Sequence, residues 1–270
     1  LTLSNSATVR DAATNDLTGN MTGLTGDTVT VDTTAPTITS INVVSSNTAS
    51  NRAKKDDIIT FKVSFSEAVT LSNKDNVKVP FTIGASGTTA GTSKLAVAQS
   101  NVTSTIDGTA NAINFTYTVE SALTGVVALD GLNLQLNSAT VQDAASNDLT
   151  LTMSNLTGTV TVDTTAPTIS SISVSSNNLN ANTVAKQGDN ITFVVGFSER
   201  VTLSDPSNVR VPFKIGSSTT IKYAAAQYST PFTINGVDGA FEFVYQVGSG
   251  DTGNVALATE SNGTLKSLTL

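Results

Sequence analysis

The chain writes one octapeptide twice. Val31-Asp-Thr-Thr-Ala-Pro-Thr-Ile38 returns as Val162-Asp-Thr-Thr-Ala-Pro-Thr-Ile169. Other landmarks keep nearly the same offset: Asp11-Ala-Ala-Thr-Asn15-Asp16-Leu17 returns as Asp143-Ala-Ala-Ser-Asn147-Asp148-Leu149, and Phe65-Ser-Glu67 as Phe197-Ser-Glu199. A period of about 130 residues is the size of one domain, so a single backbone is expected in tandem. Repetition serves reach or avidity more readily than a single reaction centre. Leu1-Thr2-Leu3 and Leu134-Gln135-Leu136 precede the same Asn-Ser-Ala-Thr-Val run, and Leu268-Thr269-Leu270 falls at about the same point of the cycle. The expected division is residues 1–32 as the C-terminal strands of a preceding repeat, 33–163 as a complete repeat, and 164–270 as a repeat lacking its C-terminal strands.

Composition narrows the chemistry. Among 270 residues, 39% are hydrophobic, enough for a modest core in each of two domains. There is no Cys, His or Trp. Thiol catalysis, disulfide frameworks and thiolate metal sites are thereby excluded, as are the usual general base and the usual zinc ligand. A formal charge of −7 with only 14 Lys and Arg, scattered along the chain, argues against nucleic acid as a partner. No stretch approaches the roughly 20 apolar residues of a membrane helix, so no membrane span is expected. The wealth of Thr, Ser, Asn, Gly and Val suits an extracellular all-β protein.

Apolar and polar residues alternate in short runs, and Gly, Asn, Ser and Asp clusters interrupt them at about 10-residue spacing, the pattern of a β-sandwich. In the complete repeat the expected strands are 37–44, 58–65, 77–83, 94–99, 113–119, 132–141 and 149–162. Ile59, Phe61, Val63 and Phe65 share one face of the second, and Phe115, Tyr117 and Val119 one face of the fifth. Pro36 and Pro167 stiffen the run into each repeat. Pro80 and Pro212 fall inside the third strand of each copy, which predicts an edge position or a bulge there. With strand directions alternating, Asp32, Glu67 and the loop from Asp143 to Asp148 are expected at one pole of the repeat.

Several stretches resemble bacterial immunoglobulin-like repeats of large cell-surface adhesins and biofilm-associated proteins. They are Lys54-Lys55-Asp56-Asp57 before a strand, Val63-Ser64-Phe65-Ser66-Glu67-Ala68-Val69, Phe115-Thr116-Tyr117-Thr118-Val119, Asp143-Ala-Ala-Ser-Asn147 and Val162-Asp163-Thr-Thr-Ala-Pro167. In order and spacing they span nearly the whole repeat, in both copies. Thr14 and Ser146 stand where the family usually has Gly, as does Asp56 in the first copy. The resemblance implies an all-β chain of tandem immunoglobulin-like β-sandwich domains, at the cell surface, acting as a non-enzymatic, rigid and extended stalk. Expected partners are neighbouring copies of the same repeat, in cis or in trans, with a surface glycan or protein target met through another region.

Calcium is the one cofactor expected, because many such relatives are stiffened by it and because it takes six to eight hard oxygen ligands. The candidate ligands are Asp32, Glu67, Asp143, Asn147 and Asp148, with Asp11, Asn15, Asp16, Asp163 and Glu199 as their counterparts in the neighbouring copies. Asp and Asn in tight turns also bond their own backbone, and that reading competes at each position. Asp107, Asp130, Asp205 and Asp238 lie in other turns, where capping is the expected role. A glycosidase pair is disfavoured, since a narrow sandwich end without Trp offers no cleft or platform for sugar. Lys54 and Lys186 occupy equivalent positions and raise the alternative of a lysine–asparagine crosslink. Two further alternatives are a carbohydrate-binding module, with the divergent segments 94–111 and 219–238 as its loops, and a filament subunit. In the filament, residues 1–32 of one chain complete the last repeat of another by strand addition.

Overall fold

The computed structural model describes residues 7–18, 29–49, 51–84, 91–131, 133–153, 156–234 and 237–259. Both Leu-Thr-Leu motifs at the chain ends, Thr28, Leu132 and the side chain of Asp238 lie outside that description. The chain divides into two compact units, Leu1–Thr164 and Thr165–Leu270. Every described element is a strand, and no helix is long and apolar enough to cross a membrane.

The first unit carries β1 (Ile38–Ser45), β2 (Arg52–Ala53), β3 (Ile58–Phe65), β4 (Thr70–Leu71), β5 (Lys78–Gly84) and β6 (Thr92–Ala98). These are followed by β7 (Ser104–Ile106), β8 (Thr109–Thr118), β9 (Thr124–Leu129), β10 (Val141–Gln142), β11 (Leu156–Thr157) and β12 (Thr161–Asp163). One curled sheet runs β11-β1-β3-β8-β6-β5-β9-β12-β2, with β7 on β8 and a separate β4–β10 pair, an arrangement consistent with a sandwich. The second unit carries β13 (Ile169–Ser176), β14 (Asn190–Phe197), β15 (Arg210–Ile215), β16 (Lys222–Ala226), β17 (Phe232–Ile234), β18 (Val237–Gln246) and β19 (Val255–Leu257). Its order, β13-β14-β18-β16-β15-β19, repeats β1-β3-β8-β6-β5-β9 strand for strand.

The repetition extends to side chains. Alternation along β3 turns Ile59, Phe61, Val63 and Phe65 inward, where all four are buried. Phe61 packs on Phe81 at 4.9 Å between ring centroids, and Tyr117 meets Phe81 edge-on at 5.2 Å. Phe193, Phe213 and Tyr245 rebuild the same trio at 5.0 and 5.1 Å. Edge-to-face contacts favour this packing over stacked rings, because the positive ring edge meets a negative face.

Beside each tyrosine sits a clasp of charge. Lys94 reaches over the Tyr117 ring and pairs with Glu120 at 2.7 Å. In the second unit Lys222 pairs with Asp251 at 2.8 Å and also donates to the Tyr245 hydroxyl, which in turn donates to Asp251 at 2.7 Å. The hydrogen bond with Lys222 leads the causes that hold the Asp251 carboxyl below its ordinary value.

Three expectations about the strands need correction. Β9 was not foreseen: Thr124-Gly-Val-Val-Ala-Leu129 has no alternation, and Gly125 takes a φ of 136° against the backbone of Gly84. The strands expected at 132–141 and 149–162 shrink to the short β10, β11 and β12 joined by isolated bridges. Β5 is not an edge strand, since β6 and β9 flank it. Pro80 is tolerated because it stands at the end of the β5–β9 ladder: its carbonyl still accepts the Asp130 N–H at 3.0 Å, and only the return bond is missing before the partner switches to Gln135 at Lys78. Pro212 repeats this, ahead of a β15–β19 ladder that starts at Phe213. Lys54 and Lys186 are exposed, which favours solvated lysines over the alternative of a crosslink. What each contributes is its main-chain N–H, donated to Asp57 at 2.7 Å and Asp189 at 2.9 Å.

Candidate metal centre at the N-terminal pole

Three segments of the first unit meet where the chain runs into β1. Asp32 lies in the stretch before Pro36, and its carboxylate accepts the Thr34 N–H at 2.9 Å. Glu67 lies in the bend after β3. That bend is pinned by a reciprocal pair, in which Thr37 N–H donates to the Ser66 hydroxyl at 3.0 Å and Ser66 N–H donates to Thr37 O at 2.9 Å. Thr168 and Ser198 reproduce the pair in the second unit, at 2.9 and 2.8 Å.

Asp143 comes from the turn after β10. One oxygen accepts the N–H groups of Ala145 and Asn147, each at 2.8 Å, and the other accepts the Asn147 side-chain amide at 2.8 Å. That amide also lies 3.3 Å from the main-chain oxygens of Asp32 and Thr34, so Asn147 ties the turn to the run before β1. Asp11-Ala-Ala-Thr-Asn15 folds into the same turn, with three matching bonds at 2.9 Å.

Carboxylate oxygens of Asp32, Glu67 and Asp143 all lie within 4.8 Å of one another. Two oxygens on opposite sides of a calcium ion stand about 4.6–5.2 Å apart, twice the bond length, so three oxygens this close fit one ion of that size. All are hard donors, which suits calcium better than a softer metal.

The electrostatics divide the cluster. Asn147, with its side-chain amide first and its main-chain N–H after it, holds the buried Asp143 carboxyl below the usual value. Glu67 moves the other way: its burial comes first, and then the charges of Asp32 and Asp143, to raise its pKa. Asp143 is thus an ion satisfied by its own turn, whereas Glu67 ionises against two like charges, which a cation relieves.

The remaining candidates are not gathered there. Asp148 accepts the Gln142 side-chain amide at 2.9 Å instead. Asp11 and Asn15 are spent on their own turn, and Asp16 pairs with Arg10. Asp163 ends β12 opposite Thr124, in the first unit. Glu199 follows β14 in the second unit, half-buried, in the bend that corresponds to Glu67. Capping accounts for Asp205, bound to Ser207 and Asn208, and Asp130 accepts the Ser93 hydroxyl.

Two features with structural weight were not foreseen. One is the lysine–tyrosine–acid clasp. The other is the pairing of Asn47 with Asp57 at 2.8 Å, repeated by Asn178 with Asp189 at 2.9 Å. The recurrence of Lys54-x-x-Asp57 as Lys186-x-x-Asp189 was the available signal for the second. Comparison of the chain with protein-family models and with curated proteins finds no match.

Proposed function

We propose that the chain is a structural repeat module of a bacterial cell-surface adhesin or biofilm-matrix protein, built of tandem immunoglobulin-like sandwiches. Its work is mechanical and non-catalytic: each unit adds length to an extracellular stalk, and calcium at the N-terminal pole stiffens the run of chain into the unit. The observation that carries this reading is the meeting of Asp32, from the run before β1, with Glu67 and Asp143 from the body of the unit. An ion held by all three fixes the run to the sandwich, which is what a load-bearing joint needs. Support also comes from the repeated side-chain trios, since the same aromatic packing in successive units suits a stalk better than a single reaction centre.

Calorimetric titration of the intact chain with calcium tests the proposal. Binding at one site in the first unit is expected, weakened at least tenfold by Glu67→Gln or Asp143→Asn. Heat no larger than dilution, or turnover of a sugar or peptide lost with one carboxylate, refutes it.

A further inference from the structure

The loop between β14 and β15 holds the chain's one Asp–Pro bond, Asp205–Pro206; the other prolines follow Ala, Val or Thr. The same loop of the first unit reads Asn73-Lys74-Asp75-Asn76 where the second reads Asp205-Pro206-Ser207-Asn208. Both fold into one turn. Asn73 Oδ1 accepts the Asp75 N–H at 3.0 Å, and Asp205 Oδ1 accepts the Ser207 N–H at 3.1 Å. Beneath these bonds, Asn73 O accepts the Asn76 N–H at 3.2 Å and Asp205 O the Asn208 N–H at 3.3 Å. Capping the turn thus needs neither a carboxylate nor a proline. Asn73 and Asp205 are both exposed, although the first unit has the closing strands β11 and β12, so the exposure belongs to the turn.

What the second copy adds is a reactive pair. The ring closed by the bond from Ser207 N–H to Asp205 Oδ1 contains the Asp205–Pro206 peptide bond, which keeps the carboxylate on that bond's side. A second donor, the Ser207 hydroxyl at 2.6 Å, fixes the same oxygen. Pro206 makes the bond a tertiary amide, whose nitrogen carries no hydrogen and leaves more readily on protonation than the secondary amide nitrogen of Lys74. A nucleophile already held beside its target reacts without the entropy cost of approach. We propose that Asp205–Pro206 is a self-cleavage site, at which the Asp205 carboxylate cuts its own main chain in mild acid.

One carboxylate oxygen attacks the main-chain carbonyl carbon of Asp205 and forms a C–O bond. The C–N bond to Pro206 breaks, its electron pair stays on nitrogen, and that nitrogen takes a proton from solvent. Residue 205 is left as a cyclic anhydride and residue 206 as a secondary amine. Water then opens the anhydride, so the net change is hydrolysis of one peptide bond. The step needs an ionised carboxylate together with a protonated leaving nitrogen. The Ser207 hydroxyl leads the causes that hold the Asp205 carboxyl below its ordinary value, which keeps it ionised further into acid. Among the described residues, the charged side chain bonded to this turn is Arg210, whose guanidinium donates to Ser207 O at 3.3 Å and keeps its charge throughout. The cut falls between β14 and β15, and the two pieces stay joined by the β14–β18 ladder until the unit is denatured. It does not depend on a cation at the N-terminal pole.

Timed incubation of the intact chain at about pH 5, above the ordinary carboxyl range, tests this while circular dichroism confirms that the chain stays folded. Denaturing electrophoresis and intact mass should show fragments 1–205 and 206–270 growing together, faster as pH is lowered from neutrality. Asp205→Asn and Pro206→Lys restore the first unit's residues at those two positions, and each should slow the cut roughly tenfold or more while keeping the turn. The chain unfolded in urea at the same pH should also be cut roughly tenfold more slowly, because the turn that holds the carboxylate is gone. A folded chain that stays whole overturns the proposal. So does an unfolded chain cut as fast as the folded one, since the lability then belongs to the dipeptide and not to the turn. Fragments that persist in Asp205→Asn overturn it as well, because another group then does the cutting.

Discussion

The Asn147 side-chain amide lies 3.3 Å from the main-chain oxygen of Asp32, across 115 residues of sequence, while bonding the Asp143 carboxylate at 2.8 Å. One side chain thus holds the turn after β10 against the run into β1 and satisfies a buried charge. Replacing Asn147 by Ala leaves Asp143 short of its strongest donor. A loss of stability confined to the first unit is expected, moderated by the Ala145 N–H and the main-chain N–H at position 147, which still bind the carboxylate. Urea denaturation should show an earlier transition for the first unit only, and the Asp143 pKa should climb toward its ordinary value in a carboxyl NMR titration.

Glu67 is expected to respond in opposite directions with and without calcium. Its raised pKa means that the folded state disfavours the ionised form, a cost present above the folded pKa and relieved as pH falls through it. Glu67→Gln should therefore raise the melting midpoint of the first unit at neutral pH in chelator and lower it in saturating calcium. Melting curves of both proteins in both buffers read the crossover; a midpoint shift of one sign in both removes the like-charge account.

Acid should weaken both units in one window. Asp57, Asp143, Asp189 and Asp251 all have pKa values depressed below 3.8, chiefly by hydrogen bonds to Asn47, to Asn147, to the Lys186 N–H and to Lys222 respectively. A depressed carboxyl contributes stability that is fully present above its unfolded value and lost as pH falls through the folded one. Stability measured against pH should thus fall below about pH 4 in both transitions. A fall that begins near neutrality is the opposing result.

Two residues occupy backbone conformations that suit glycine. Ser146 has a φ of 69° and Asp56 a φ of 71°, and the second unit places Gly188, with a φ of 88°, where Asp56 stands. Ser146→Gly and Asp56→Gly should each stabilise the first unit by about 0.5–1 kcal/mol, because the left-handed region strains a side chain that bears Cβ. Denaturation midpoints check this directly. Loss of the exposed Lys55–Asp56 pair should cost little in comparison.

The tyrosines should differ although their rings pack alike. Tyr245 bonds Lys222 and Asp251, so Tyr245→Phe is expected to cost about 1–2 kcal/mol in the second unit. The Tyr117 hydroxyl is buried without a hydrogen bond of ordinary geometry, with Lys94 and Glu120 only loosely beside it, so Tyr117→Phe should cost clearly less than Tyr245→Phe. Paired denaturation curves separate the two.

Legibility in the sequence followed how local the cause was. Β3 could be read from end to end, since Ile59, Phe61, Val63 and Phe65 alternate without interruption. The convergence of Asp32, Glu67 and Asp143 followed from strand direction alone. Β9 stayed hidden because its pairing depends on two backbones touching at Gly84 and Gly125, a contact that leaves no pattern of side chains. The place of β5 was misread because a proline blocks a ladder only where a partner strand is present to miss its N–H. The clasps were invisible because Glu120 follows Tyr117 closely, whereas Asp251 reaches Lys222 from beyond a further turn. Only the fold brings such different positions to one role.

Thermal melting of the intact chain in calcium and in chelator, read beside Asp143→Asn, weighs most directly on a cation-stiffened repeat. Calcium should raise the midpoint of the first unit through binding to the folded state alone, and Asp143→Asn should abolish the increment. Identical midpoints in calcium and chelator would contradict it, leaving Asp32, Glu67 and Asp143 as turn caps that happen to meet.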